Sequence, residues 1–209
     1  LAAMGADAVF RVTLAGGVVT SVGASTRPFI DLRTDANDIA IRRAIGIVAT
    51  PAEAALGFVL GDASGDVTAI SFETQRIVGS PEAPRILRVT DPPEPGSPEA
   101  RALRGKRVFH TGLGRWSLGG RAWSACAACH IDGLSDGVPW LMDRGPRQTP
   151  SLAGAFAPGD PSDQRVFNWT ASADEVADFE VFVRDVAGGL GAIVNPTDQR
   201  IDLDAEVPP

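Results

Sequence analysis

Three of the four residues best suited to redox or metal chemistry lie within five positions of one another. The chain of 209 residues has two cysteines and two histidines, and Cys126, Cys129 and His130 fall in the run Cys-Ala-Ala-Cys-His. Random placement would give this clustering about once in 10,000 arrangements. C-x-x-C-H is the attachment signature of c-type haem, in which two thiols add to the porphyrin vinyl groups and the adjacent imidazole binds iron. The motif therefore predicts one covalent haem c, with Cys126 and Cys129 as thioethers and His130 as an axial ligand.

Other uses of this motif remain open. A structural zinc ion needs four ligands, and His110 is the only histidine left to join the motif. The adjacent Cys129 and His130 would also have to reach one tetrahedral ion. A thioredoxin-like pair places its first cysteine at the start of a helix after a strand, and residues 119–125 (GGRAWSA) do not resemble such an entry. A plain disulfide is the remaining alternative, and haem c is the interpretation that also uses the histidine.

The second axial position of the iron separates two classes of function. A Met or His ligand favours electron transfer, whereas an open position permits peroxide binding. Met142 follows His130 by twelve residues and is a candidate ligand, its alternative role being a gap-filling core side chain. His110 is a second candidate, although a histidine at the end of a helix also stabilises the helix dipole. Water or a neighbouring chain would otherwise complete the site.

Residues 1–90 are predicted to form β-structure. The predicted strands are separated by glycine-containing or polar turns and lie at 8–14, 17–22, 57–60, 67–72 and 76–78. An offset of 58 residues superposes Val9 on Val67 and Val12 on Ile70, which indicates radially repeated four-stranded blades. The stretch from Ile45 to Gly79 resembles a blade of the YVTN/NHL-type β-propellers. The prediction is a partial propeller, because a closed one needs about four to eight blades.

A proline-rich linker is predicted at 91–98, where four of eight residues are proline. Ser97 is the expected N-cap of a helix that runs to about His110. The segment at 99–195 is predicted to be a cytochrome c-type haem domain, followed by a tail at 196–209.

A second helix is predicted at 173–187. Ser172 and Glu175 form a capping box at its start, apolar residues recur along one face, and Gly188 supplies the stop. Residues between the two helices are expected to be loops rich in Gly, Pro and Trp, packed against the haem.

Three segments resemble the haem domains of the bacterial diheme cytochrome c peroxidase superfamily, and most closely the variants fused behind YVTN-type propellers. Residues 105–109 (GKRVF) resemble the G-x-x-L/V-F of the first helix of cytochrome c domains. Residues 147–152 (RQTPSL) match an R-x-T-P-S/T-L segment that lies near the haem, and residues 167–170 (FNWT) match an F-x-W-D/T segment that precedes an acidic helix. The resemblance implies a multi-domain chain, with all-β propeller-like blades at the N-terminus and an all-α cytochrome c-like domain at the C-terminus.

The same resemblance implies further haem contacts. Arg147 is expected to pair with a haem propionate, the alternative being an ordinary surface salt bridge. Pro150 is expected to fix the loop that carries Arg147. Trp140 is expected to pack against the cofactor rather than to relay electrons.

The expected function is electron transfer by one covalent haem, as part of a larger multihaem protein or complex. Relatives carry a second C-x-x-C-H, which this chain lacks, so a second haem domain or a redox partner protein must be supplied elsewhere. A peroxidase or haem oxidase acting on hydrogen peroxide is the first alternative, with no single catalytic acid or base selected among Asp132, Asp136, Asp143, Asp174 and Glu175. A β-propeller binding module with an auxiliary haem is the second. Covalent haem predicts a periplasmic or otherwise extracytoplasmic location.

The net charge and the length of the apolar stretches limit the kinds of partner that we expect for this chain. The formal net charge is −7 and the pI is near 4.8, which is the wrong sign for binding a phosphate backbone. Nucleic acid is therefore excluded as an expected partner. The longest apolar stretches, at 45–49 and 54–60, are far shorter than the roughly 20 residues that span a bilayer.

Overall fold

The structure is a computed structural model that describes residues 1–22, 29–33, 42–51, 55–80, 82–113, 125–142, 145–164, 168–173 and 178–191. The chain divides into two compact units, Leu1–Thr111 and Gly112–Pro209. The predicted linker at 91–98 and the helix after it both fall in the first unit.

Short strands dominate the described residues of the first unit, and short strands and short helices share those of the second. The first unit contains β1 (Ala2–Ala3), β2 (Ala8–Phe10), β3 (Val12–Ala15), β4 (Val18–Val22), β5 (Phe29–Asp31), β6 (Ala44–Ala49), β7 (Leu56–Gly61), β8 (Asp66–Ser71), β9 (Arg76–Ile77), β10 (Gly79–Ser80), β11 (Ala83–Pro84), β12 (Ile86–Arg88) and α1 (Pro98–His110). The second unit contains α2 (Cys126–Cys129), β13 (Pro139–Met142), β14 (Gly145–Gln148), β15 (Phe156–Ala157), β16 (Asp160–Gln164) and α3 (Phe179–Ala187). No described helix is long and apolar enough to cross a membrane.

The core of the first unit lies on an antiparallel sheet with the strand order β12-β8-β7-β6, in which β9 also pairs with β8. Buried and exposed positions alternate along β7 and β8, as expected for strands that bury one face. The side chains of Val59 and Ile70 pack there with those of β2, β5 and neighbouring residues. The buried cluster consists of Val9, Ile30, Leu32, Ala44, Val59 and Ile70.

Helix α1 is attached to the first unit by polar contacts. Its start is as predicted, because the Ser97 side chain accepts a hydrogen bond from the backbone N–H of Ala100 at 3.1 Å. Near its end, Lys106 Nζ lies 2.6 Å from the carboxylate of Asp62, and Arg107 Nε donates to the carbonyl oxygen of Ala63 at 3.1 Å. These contacts place the helix with the β-structure of Leu1–Thr111.

The predicted repeat in the first unit is wrong. Residues 67–72 lie almost wholly in the single strand β8, whereas the matching residues 9–14 are divided between β2 and β3, which belong to different sheets. Arg11 interrupts the predicted strand. The two passages therefore share a pattern of β-branched residues but not a structure, and the described strands do not repeat as blades.

The expectation of an all-α cytochrome c-like domain is also wrong. The described part of Gly112–Pro209 contains one helical turn, a 3₁₀ turn, the nine-residue α3 and two β-hairpins. The hairpin of β15 and β16 turns at Gly159, which adopts a left-handed backbone conformation with φ 77°. Of the helix predicted at 173–187, the structure describes α3 from Phe179 to Ala187, and Gly188 ends it as expected. Glu175 of the proposed capping box lies outside the described residues.

Candidate haem-attachment site

The two cysteines lie on a single helical turn. Ala125 is extended, and α2 then runs from Cys126 to Cys129, closed by a 2.9 Å hydrogen bond from the His130 N–H to the Cys126 carbonyl. Side chains three residues apart share a helix face, so both thiols are presented to one side. The cysteines are half-buried and do not form a disulfide. The turn therefore presents two free thiols on one side.

The chain reverses immediately after His130. His130 leaves helical geometry at φ −96° and ψ 66°, and Asp132 and Gly133 adopt positive φ values of 52° and 76°. The N–H of Gly133 donates to the His130 carbonyl at 3.0 Å, and that of Leu134 donates to the Ile131 carbonyl at 2.9 Å. This tight turn fixes the backbone that carries the imidazole.

The sequence-predicted Pro150 lies beside that imidazole. The N–H of Leu152 donates to the Gly133 carbonyl at 2.8 Å, which draws the segment 149–152 against the turn. The backbone of Pro150 raises the pKa of His130, and the group involved is the carbonyl because proline has no N–H. A histidine that binds metal through one ring nitrogen commonly donates its other N–H to a backbone carbonyl, which fixes its orientation.

The hairpin of β13 and β14 brings the other three sequence-predicted residues to one face. Trp140 pairs with Arg147, and Met142 pairs with Gly145. Paired residues, and residues two apart on one strand, share a face of a hairpin, so Trp140, Met142 and Arg147 lie on the same side. Met142 is half-buried, and the guanidinium of exposed Arg147 donates to the Pro146 carbonyl at 2.9 Å.

Asp136 links the two halves of the site, and sequence reasoning did not single it out. Its Oδ2 accepts a hydrogen bond from Trp140 Nε1 at 2.8 Å, and its Oδ1 accepts one from the Val138 N–H at 3.0 Å. The charge of Asp136 acts on both Cys129 and His130. The hydrogen bonds from the Val138 N–H and from Trp140, with a smaller contribution from the Thr149 side chain, lower the pKa of Asp136 although desolvation opposes them.

The electrostatics of the motif argue against a thioredoxin-like redox pair. Burial raises the pKa of the Cys126 thiol, and burial followed by the charge of Asp136 raises that of Cys129. A reactive redox cysteine has a lowered pKa. Burial lowers the pKa of His130, and the backbone of Pro150, Asp136 and the backbone of Leu134 oppose that shift. The imidazole is therefore favoured in the neutral form that binds a metal.

Zinc is no better supported by the geometry. The described residues contain no group of three or more His, Cys, Asp or Glu side chains that could hold a metal ion, whereas a structural zinc site needs four ligands. A haem iron needs fewer protein ligands than a structural zinc ion, because the porphyrin supplies four ligands and the protein supplies one or two.

The second unit has apolar surface but little apolar core. Among its described residues Ala173 is the only buried apolar side chain. The segment around the motif instead exposes Ile131, Leu134, Val138, Trp140, Leu141 and Phe156. Exposed apolar side chains near the motif are available to a molecule that covers them. The residues present thus fit a large apolar prosthetic group.

The remaining candidates belong to other elements or lie outside the described residues. His110 belongs to α1 of the first unit, where its Nδ1 hydrogen-bonds with the Lys106 carbonyl at 2.8 Å. Trp169 is 74% exposed, next to Asn168, whose Oδ1 accepts a hydrogen bond from the Ser172 N–H at 3.0 Å. The acids at 143, 174 and 175 lie outside the described residues.

Comparison with protein-family models, with curated proteins and with solved structures finds no match to this chain. The resemblance to diheme peroxidase haem domains therefore rests on the quoted motifs alone.

Proposed function

We propose that residues 125–152 attach one haem c covalently and that the protein is an electron-transfer cytochrome. The observation that carries this proposal is the helical turn that presents both thiols of Cys126 and Cys129 to one side, with His130 directly after it. A haem needs two thiols and one imidazole in this order. Neither a low-pKa thiol pair nor a four-ligand zinc site is supported by the same residues.

Each residue of the site has a stated role in this proposal. Cys126 and Cys129 would form the thioethers and His130 would bind the iron, with the Pro150 backbone acting on the imidazole. The haem supplies one-electron iron chemistry when it is bound. Arg147 pairs with a propionate, which is the charge-assisted contact that a guanidinium favours.

Electron transfer is preferred to peroxide chemistry for two reasons. Met142 shares a hairpin face with Trp140 and Arg147, so a thioether is available on the side of the hairpin that carries both proposed haem contacts. Peroxide cleavage also needs a general acid that can donate a proton. Asp136 has a lowered pKa, which keeps it ionised at neutral pH and makes it a poor proton donor.

The setting follows from the cofactor. Covalent attachment of haem c takes place outside the cytoplasm, so we propose a periplasmic or otherwise extracytoplasmic protein. The single motif in this sequence means that electrons pass to a second haem domain or to a separate redox protein.

The test is production of the whole chain with a c-type maturation system, followed by denaturing electrophoresis with haem staining. Cys126→Ala and Cys129→Ala should each reduce covalent haem, and the double variant should abolish it. His130→Ala should lose iron ligation, whereas His110→Ala, which changes the other histidine, should keep the covalent haem. Wild-type protein without covalent haem would refute the proposal.

A second measurement separates the two haem functions. Carbon monoxide binds readily only to an open or labile iron. A reduced spectrum that carbon monoxide leaves unchanged would support electron transfer. A high-spin spectrum that shifts on addition of carbon monoxide would favour the peroxidase or haem oxidase alternative.

A further inference from the structure

Asp136 holds two separate groups with one carboxylate. Its Oδ1 accepts a hydrogen bond from the Val138 N–H, and its Oδ2 accepts one from Trp140 Nε1. Asp136 itself lies in the loop after His130, and Trp140 lies in strand β13. The carboxylate therefore connects the loop after His130 to strand β13.

The same segments hold the proposed iron ligand. Three residues after His130, the Gly133 carbonyl accepts a hydrogen bond from the Leu152 N–H at 2.8 Å. The turn that carries His130 is thus joined to the segment that contains Pro150, and Asp136 follows the joined Gly133 by three residues. A displacement of Asp136 therefore moves the hairpin face relative to the imidazole.

Trp140 is the part of the hairpin that Asp136 orients. Its indole N–H is a donor only, and a hydrogen bond to an ionised carboxylate is shorter and stronger than a neutral one. Trp140 lies opposite Arg147 and two residues from Met142 on the same face. Fixing the indole plane therefore fixes the side of the hairpin that carries both candidate haem contacts.

We infer that Asp136 is a positioning residue that sets the hairpin face of Trp140, Met142 and Arg147 relative to the haem held by His130. This inference rests on the proposed function. Asp136 acts through Trp140 and touches neither iron nor substrate. It differs from a catalytic acid, because its task is met by two hydrogen bonds that it accepts.

The test compares three variants of the haem-loaded full chain. Asp136→Asn replaces one acceptor oxygen by an amide donor, so the substituted side chain cannot accept from both Val138 and Trp140 through separate oxygens. Trp140→Phe keeps an aromatic ring and removes the donor. Asp163→Asn, an exposed acid in β16 of the same unit, is the matched control for loss of charge.

The readouts are covalent haem content, the rate of carbon monoxide binding and hydrogen exchange of the Trp140 indole. Asp136→Asn and Trp140→Phe should each raise the carbon monoxide rate by at least about threefold, with haem content unchanged. Their double variant should match the singles, because both remove one interaction. The indole of Trp140 should exchange faster in Asp136→Asn and at the wild-type rate in Asp163→Asn.

Two results would overturn the inference alone. One is a haem-loaded Asp136→Asn protein with wild-type carbon monoxide kinetics and wild-type indole exchange. The other is a double variant whose effect is the sum of the two single effects. A wild-type chain that carries no covalent haem would instead remove the proposed function, and the inference with it.

Discussion

The most demanding prediction for the first unit concerns a buried ion pair. Arg42 Nη1 lies 2.7 Å from Asp66 Oδ2, and the side chains are only 5% and 8% exposed. Arg42 Nε also donates to the Leu32 carbonyl at 2.7 Å, which holds the guanidinium inside the unit. The variant Asp66→Asn keeps the size of the side chain and removes the charge that balances the guanidinium.

The expected loss of stability in Asp66→Asn follows from the burial of the ion pair. Removing one partner of a buried ion pair costs about 3–5 kcal/mol, because the remaining charge stays out of water. A typical domain has only about 5–15 kcal/mol of stability. One kcal/mol shifts the Tm of a domain of about 100 residues by about 4–8 °C, so Asp66→Asn should lower the Tm of the first unit by about 12 °C or more.

The assay is thermal unfolding of the full chain, with hydrogen exchange of the β7 and β8 amides to observe the first unit by itself. Asp31→Asn is the matched control, because the Asp31–Arg33 pair is closed at 2.8 Å but its side chains are 41% and 31% exposed. An exposed pair is worth about 0–1 kcal/mol. The double variant Arg42→Met with Asp66→Leu should be more stable than Asp66→Asn. An equal decrease in Tm for Asp66→Asn and Asp31→Asn would refute the reasoning.

Three further predictions use other parts of the structure. Met142→Ala should open the iron of the haem-loaded protein to carbon monoxide. The control Leu141→Ala should not, because Leu141 lies on the opposite hairpin face and is 86% exposed. Equal carbon monoxide binding by the two variants would contradict ligation by Met142. Burial raises the pKa of Asp62, but hydrogen bonds from Lys106 and Arg43 lower it by more, so the net shift is downward. Asp62→Asn should therefore destabilise the protein at neutral pH. The difference in unfolding free energy between wild type and variant should vanish as the pH falls through the lowered folded-state pKa. Ile70→Ala, at a fully buried position, should cost about 2–5 kcal/mol in urea unfolding, and the exposed control Ile45→Ala should cost much less.

The sequence was sufficient where short-range chemistry determines the structure. Helix α1 is marked by an N-cap serine and a proline at its first position, and it begins as predicted. Strands β7 and β8 coincide with the strands predicted on either side of a glycine-containing turn. The helical turn at Cys126–Cys129 was not predicted, because this stretch was expected to be loop.

The sequence was insufficient where distant segments meet. The hairpin of β13 and β14 lies in a stretch that was expected to be loop, since Trp140 and its neighbours show no polar–apolar alternation. The hydrogen bond between Leu152 and Gly133 joins residues whose pairing no local pattern encodes. Asp136 was consequently one of five equivalent acids in the sequence and became distinct only through its partners.

The distribution of charge gives the two units different electrostatic roles. Residues 1–111 contain twelve basic and twelve acidic side chains, whereas residues 112–209 contain seven basic and fourteen acidic ones. The whole net charge of −7 therefore belongs to the unit that carries the proposed haem, and two propionates would add to it. A field of one sign steers an oppositely charged partner and is screened by salt. We therefore expect electron transfer from a basic redox protein to slow as ionic strength rises, and a rate that is independent of salt would contradict this assignment of the partner.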